Sequence, residues 1–90
     1  MNCTERLVTV ENKLGLHARP AAELVKLASK FESEITISKD EMAVNGKSIL
    51  GVMTLAAERG CILLVRAEGA DAEQAVEELA ALLAHNYHEE

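Results

Sequence analysis

Pro20 constrains this chain more tightly than any other residue. Its ring removes a backbone N–H and clashes with an earlier carbonyl, so a helix accepts it only in the first turn, where the N–H has no intrahelical partner anyway. After it, Ala21, Leu24, Val25, Ala28 and Phe31 recur at helical spacing, with Glu23, Lys26 and Lys30 on other faces. The stretch Gly15-Leu16-His17-Ala18-Arg19-Pro20-Ala21-Ala22 is therefore a corner, where a strand-like segment gives way to a helix running to about Lys30. His17 falls at or just before that helix's N-terminus. Backbone N–H groups and the positive end of the helix dipole converge there and favour a phosphate or carboxylate. Arg19 adds a planar donor fork suited to phosphate oxygens. A histidine, an arginine and a helix start within three residues form a candidate site for carrying a phosphoryl group.

The rest of the chain alternates strand and helix signals. Arg6 to Glu11 is rich in β-branched residues, with Val8 and Val10 on one face together with Arg6, and it reads as the first strand. Glu34 to Lys39 alternates cleanly, Asp40-Glu41 is a turn signal, and Met42 to Val44 completes a hairpin. Asn45 to Ser48 breaks the pattern, and Ser48 is placed to cap a short helix through Ile49, Val52 and Leu55. Gly51 weakens that helix by about 1 kcal/mol relative to alanine. Cys61 to Glu68 is apolar on both faces at its start, as a central strand would be. Asp71, with Gln74 three residues on, has the form of a capping box for the most regular amphipathic helix, through Ala72, Ala75, Val76, Leu79, Leu82 and Leu83. The order β-α-β-β-α-β-α predicts an α+β open-faced sandwich: a four-stranded antiparallel sheet with three helices on one face.

Ninety residues allow one domain, here residues 1–90, and leave no room for a separate substrate domain. The opening residues lack the zones of a signal peptide and no apolar run approaches membrane-spanning length, so the expectation is a soluble, cytoplasmic protein. A net charge of −6, one phenylalanine, one tyrosine and no tryptophan argue against nucleic acid as a partner. Cys3 sits in a segment expected to fray. Two unpatterned cysteines, Cys3 and Cys61, read as free thiols, although spacing alone leaves a disulfide open. His85 and His88, beside Glu89 and Glu90, have the composition of metal ligands, but with no third ligand of defined geometry they read as a tail, and neither metal nor cofactor is expected.

On local physics alone His17 has two readings. It can cap the helix or pack against a neighbour; or its imidazole, with an ordinary pKa of about 6.5, can offer a neutral ring nitrogen as nucleophile at pH 7. Arg19 is either a phosphate ligand or an ordinary solvated charge. A histidine-dependent hydrolase is a weaker third reading, since no general acid is evident near His17.

The corner motif, followed by Asn45-Gly46-Lys47-Ser48-Ile49-Leu50-Gly51-Val52-Met53-Thr54-Leu55, closely resembles HPr, the histidine-containing phosphocarrier family of the bacterial phosphotransferase system. The resemblance spans nearly the whole chain. It implies a carrier, and not an enzyme that turns substrate over, in which His17 becomes a pros-phosphohistidine on accepting a phosphoryl group from Enzyme I and passes it to a IIA domain. It also implies that Arg19 steadies the phosphohistidine, that Ser48 is a regulatory site for an HPr kinase/phosphorylase whose product a transcriptional regulator reads, and that the carrier is a monomer acting away from membranes. Leu16, Ile49, Leu50 and Met53 match the family's docking surface. On the residues themselves, Ser48 is also simply a cap, and helical spacing would bury at least one of Ile49, Leu50 and Met53. Leu14 departs from the small polar residue many such carriers have before the motif's glycine, so a hydrogen bond to the helix start or phosphate is absent. The rival reading is a regulatory binding module, nitrogen-related or catabolite-control, that acts through phosphorylation without sugar transport. Retention of both His17 and Arg19 favours the carrier.

Overall fold

The computed structural model describes residues 2–11 and 18–84. Its elements are β1 (Cys3–Thr9), α1 (Ala18–Ala28), β2 (Glu34–Lys39), β3 (Met42–Asn45), α2 (Ile49–Thr54), β4 (Ile62–Glu68) and α3 (Ala72–Ala84). The strands form one sheet in the order β1-β4-β2-β3, with every neighbouring pair antiparallel. β1 and β2 are thus parallel to each other with β4 between them, and α1 supplies the crossover that such a pair needs. β3 and β4 are related in the same way across β2, with α2 as the crossover. The expected open-faced sandwich is the observed fold.

The core lies on the helix-covered face. Val8, Val10, Ile35, Ile37, Leu63, Val65 and Ala67 point inward from the sheet to meet Leu24, Val52, Leu55, Val76, Leu79 and Leu83, all buried. The alternation is plain in β4, where Leu63, Val65 and Ala67 are buried while Ile62 is 58% exposed. The other face is open: Leu7 is 69% exposed and sits opposite Leu64. Arg66 pairs there with Glu5 at 3.4 Å and with Glu68 at 3.8 Å, contacts too exposed to contribute much.

Three sequence expectations need correction, and the reading of the cysteines as free thiols holds. β1 begins at Cys3, which pairs with Glu68, and ends at Thr9, so Cys3 is no frayed end; the ladder to β4, with Gly69 N–H donating to the Asn2 carbonyl, holds this segment. Both cysteines are free. Cys61 lies beside Val10, whose N–H donates to its carbonyl, so Cys3 is seven strand positions away, or ~23 Å, beyond any disulfide. α1 ends at Ala28, because Lys30 and Phe31 N–H turn to carbonyls three residues back and carry the chain toward β2. Asp71 does not close a capping box with Gln74. Its carboxylate accepts from the N–H of Glu32 at 2.9 Å, the N–H of Ser33 at 3.0 Å and the Ser33 hydroxyl, while the Gln74 side chain donates to Glu78. Three donors from another loop outcompete one local cap.

Candidate functional site

α1 is anchored by its apolar side. Ala21, Leu24 and Ala28 are buried and Val25 and Leu27 partly so, which fixes where the helix starts and which way its first turn faces. Arg19 lies in that first turn and is exposed. It borders a groove whose other walls are Ala22, Glu23, Lys26, Leu27, Lys30 and, from α3, Leu82. Arg19, Lys26 and Lys30 give this groove a cationic lip on a chain whose net charge is −6. Among the described residues Arg19 is in no ion pair. His17 and Leu16 lie outside the described residues, as do Leu14 before the motif and His85 and His88 in the tail.

The second part of the site is α2, packed beside α1. Its start is built by a compact turn. The Asn45 side chain accepts from the Lys47 N–H at 2.8 Å, and the Ser48 N–H donates to the Asn45 carbonyl at 3.0 Å. The Lys47 ammonium reaches back to the Phe31 carbonyl at 2.6 Å, tying α2's entry to the segment that follows α1. Ser48 is the N-cap, with extended backbone, and its hydroxyl oxygen accepts from the Gly51 N–H at 3.1 Å. The structural role expected of Ser48 is thus observed.

The expectation that one of Ile49, Leu50 and Met53 would be buried is overturned. They are 40%, 76% and 40% exposed, because Val52 and Leu55 take the inward positions of so short a helix. Three apolar side chains on two turns therefore form a solvent-facing patch next to Ser48. Exposed apolar residues scattered singly are ordinary, whereas these three adjoin one another on one short helix.

Two contacts, one at the site and one away from it, carry little or no local signal in the sequence. Lys39 donates to the Leu55 and Ala56 carbonyls at 3.2 and 3.4 Å, closing the far end of α2. Its signal was positional: in the alternation Ile35, Ile37, Lys39, it occupies the next inward-facing place. The Ser33–Asp71 contact left no signal, since its partners are 38 residues apart. Among the described residues no group of three His, Cys, Asp or Glu side chains could hold a metal, and no helix is long and apolar enough to cross a membrane.

A family model described as the PTS HPr component phosphorylation site matches residues 4–85. Phosphocarrier protein HPr of Xylella fastidiosa strain Temecula1 is 46% identical over 86 residues, covering 96% of this chain and 97% of that protein. HPr-like protein Crh of Halalkalibacterium halodurans is 47% identical, covering 88% and 94% respectively. The crystal structure of HPr-C-His from Thermoanaerobacter tengcongensis superposes with a TM-score of 0.91 at 45% identity, covering 97% of this chain and 98% of that one. Sequence match, fold and element order agree, and the chain belongs to the HPr phosphocarrier family of the phosphotransferase system.

Proposed function

We propose that residues 1–90 act as one cytoplasmic phosphocarrier domain, which accepts a phosphoryl group on His17 from phosphorylated Enzyme I and passes it to a IIA domain. The observation that carries this reading is the start of α1: the helix opens at Ala18, directly after His17 in sequence, and its first turn offers an exposed Arg19 in no ion pair among the described residues. Free N–H groups and the helix dipole at that end stabilise added negative charge, and the guanidinium fork supplies charge-assisted hydrogen bonds to it. A neutral imidazole nitrogen takes the phosphoryl group while the donor's bond to phosphorus breaks. The partner shapes the rest of the transition state, so the carrier needs no cofactor and turns over no substrate of its own. Ile49, Leu50 and Met53 on α2, with Leu16 beside the histidine, form the apolar docking surface.

A second reading has a specific observation behind it. Ser48 caps α2 beside that apolar patch, and the chain is similar to an HPr-like protein as well as to HPr itself. A phosphate on Ser48, placed by an HPr kinase/phosphorylase, would put charge on the docking surface and present a new one to a transcriptional regulator. The two roles are compatible in one molecule.

Incubation with Enzyme I and phosphoenolpyruvate, followed by intact-mass spectrometry, tests the main reading. One acid-labile phosphoryl group is expected, absent from His17→Ala and formed more slowly on Arg19→Ala, which loses a charged contact worth roughly 1.5–3 kcal/mol. Label that persists on His17→Ala would overturn the assignment.

A further inference from the structure

α2 is short and weakly built at its C-terminal end. It is six residues long, contains Gly51, and passes at its end through Ala56 with φ of 51°, a left-handed backbone that costs a non-glycine residue roughly 1–2 kcal/mol. In its last turn the Leu55 and Ala56 N–H groups donate to Val52 and Met53, three residues back, leaving the Leu55 and Ala56 carbonyls beyond the helix without intrahelical donors. Both carbonyls are taken by one group, the Lys39 ammonium, at 3.2 and 3.4 Å. Lys39 closes β2 and is followed by Asp40 and Glu41, yet neither holds it in an ion pair; among the described residues the ion pairs are those of Arg66. Lys39 lines a groove with Asp40, Glu41, Met42 and Leu55, and within it the ammonium is bonded to the helix end. A cation there also complements the helix dipole.

We propose that Lys39 is a positioning residue for phosphoryl transfer. By fastening the C-terminal end of α2 to the β2–β3 hairpin, it fixes the direction in which Ile49, Leu50 and Met53 face a docking partner. The Ser48 hydroxyl holds one end of the helix and Lys39 holds the other, with Lys47 tying the entry turn to the end of α1. Lys39 itself reacts with nothing. Its effect falls on partner affinity and leaves the chemical step alone. The proposal rests on the docking reading of α2.

The test uses the full chain, with initial-rate kinetics of phosphorylation by Enzyme I and amide hydrogen exchange across residues 49–56. Lys39→Met keeps the stem and removes the donor. It should raise KM for the carrier roughly three- to tenfold at unchanged kcat and speed exchange in α2. Lys39→Arg, which can still donate to both carbonyls, should restore both. A lowered Tm with KM unchanged at a temperature well below it would make Lys39 merely structural and overturn the proposal. A raised KM without faster exchange would mean that Lys39 touches the partner directly, and would overturn it too. Leu50→Glu separates the two readings. If it leaves KM unchanged, α2 is not the docking surface; if it raises KM and Lys39→Met does not, the role of Lys39 alone falls.

Discussion

Asp71 joins two loops that the chain brings together only by folding. Ser33, 1% exposed, gives it a hydroxyl and an N–H, and Glu32 gives it a second N–H. Gly69 permits this approach: a Cβ there would meet Ser33 Oγ at 2.7 Å and Ser33 Cα at 2.8 Å. The Ser33 hydroxyl first, and then the Glu32 N–H, hold the Asp71 carboxyl below its usual value of 3.8. Because the folded pKa is depressed, this contribution to stability is present above the unfolded value and is lost as pH falls through the folded one. Asp71→Ala should therefore melt below the parent at pH 7, and the gap should close as the solution is taken from about pH 4 downward. A gap that stays constant to pH 2 would show that the carboxylate's charge has no part in the contact. Ser33 is the position such a variant exposes most, since its buried hydroxyl and N–H lose their acceptor.

At the scale of elements, α2 combines a legible N-terminus with an illegible C-terminus. Serine before a short apolar run is a local signal, and Ser48 caps the helix as its sequence indicates. Nothing within the helix's own residues foretells Lys39, because that contact spans 16 positions and depends on how the β2–β3 hairpin packs. The exposure of Ile49, Leu50 and Met53 was missed for a related reason. Periodicity assigns an apolar stripe to the core, but in so short a helix Val52, with Leu55 at the C-cap, already fills the inward places. Ser48→Asp tests how the capped end relates to function. Aspartate is as good an N-cap as serine and suits the dipole, so Tm should hold or rise slightly. Its charge beside the apolar patch should nevertheless lower kcat/KM with Enzyme I, a penalty of ~1.4 kcal/mol sufficing for a tenfold loss. Added salt should narrow the difference if repulsion dominates and leave it if desolvation does. A variant that melts early and loses transfer only in proportion to its unfolded fraction would reduce Ser48 to a cap.

Across the whole molecule, the sheet divides the chain into a face that is packed and a face that is not. Element order, hairpin and central strand were legible because strand and helix periods alternate without ambiguity. Which side of β4 carries the helices was not, since Cys61-Ile62-Leu63-Leu64-Val65 is apolar on both sides and only the packing of α1, α2 and α3 separates them. Ile62 and Leu63 are consecutive, similar in size and both in β4, yet one is 58% exposed and the other fully buried. Leu63→Ala removes packed methyl groups from the core and should cost about 2–5 kcal/mol in urea denaturation. Ile62→Thr keeps a β-branched side chain on a solvated surface and should fall within about 0.5 kcal/mol of the parent. The pair therefore measures the one-sidedness of the sheet with little contribution from strand propensity. Comparable losses for both would mean that the Leu7, Ile62 and Leu64 face is covered in solution. A loss for Ile62→Thr that grows with protein concentration would identify the cover as a second copy of the chain.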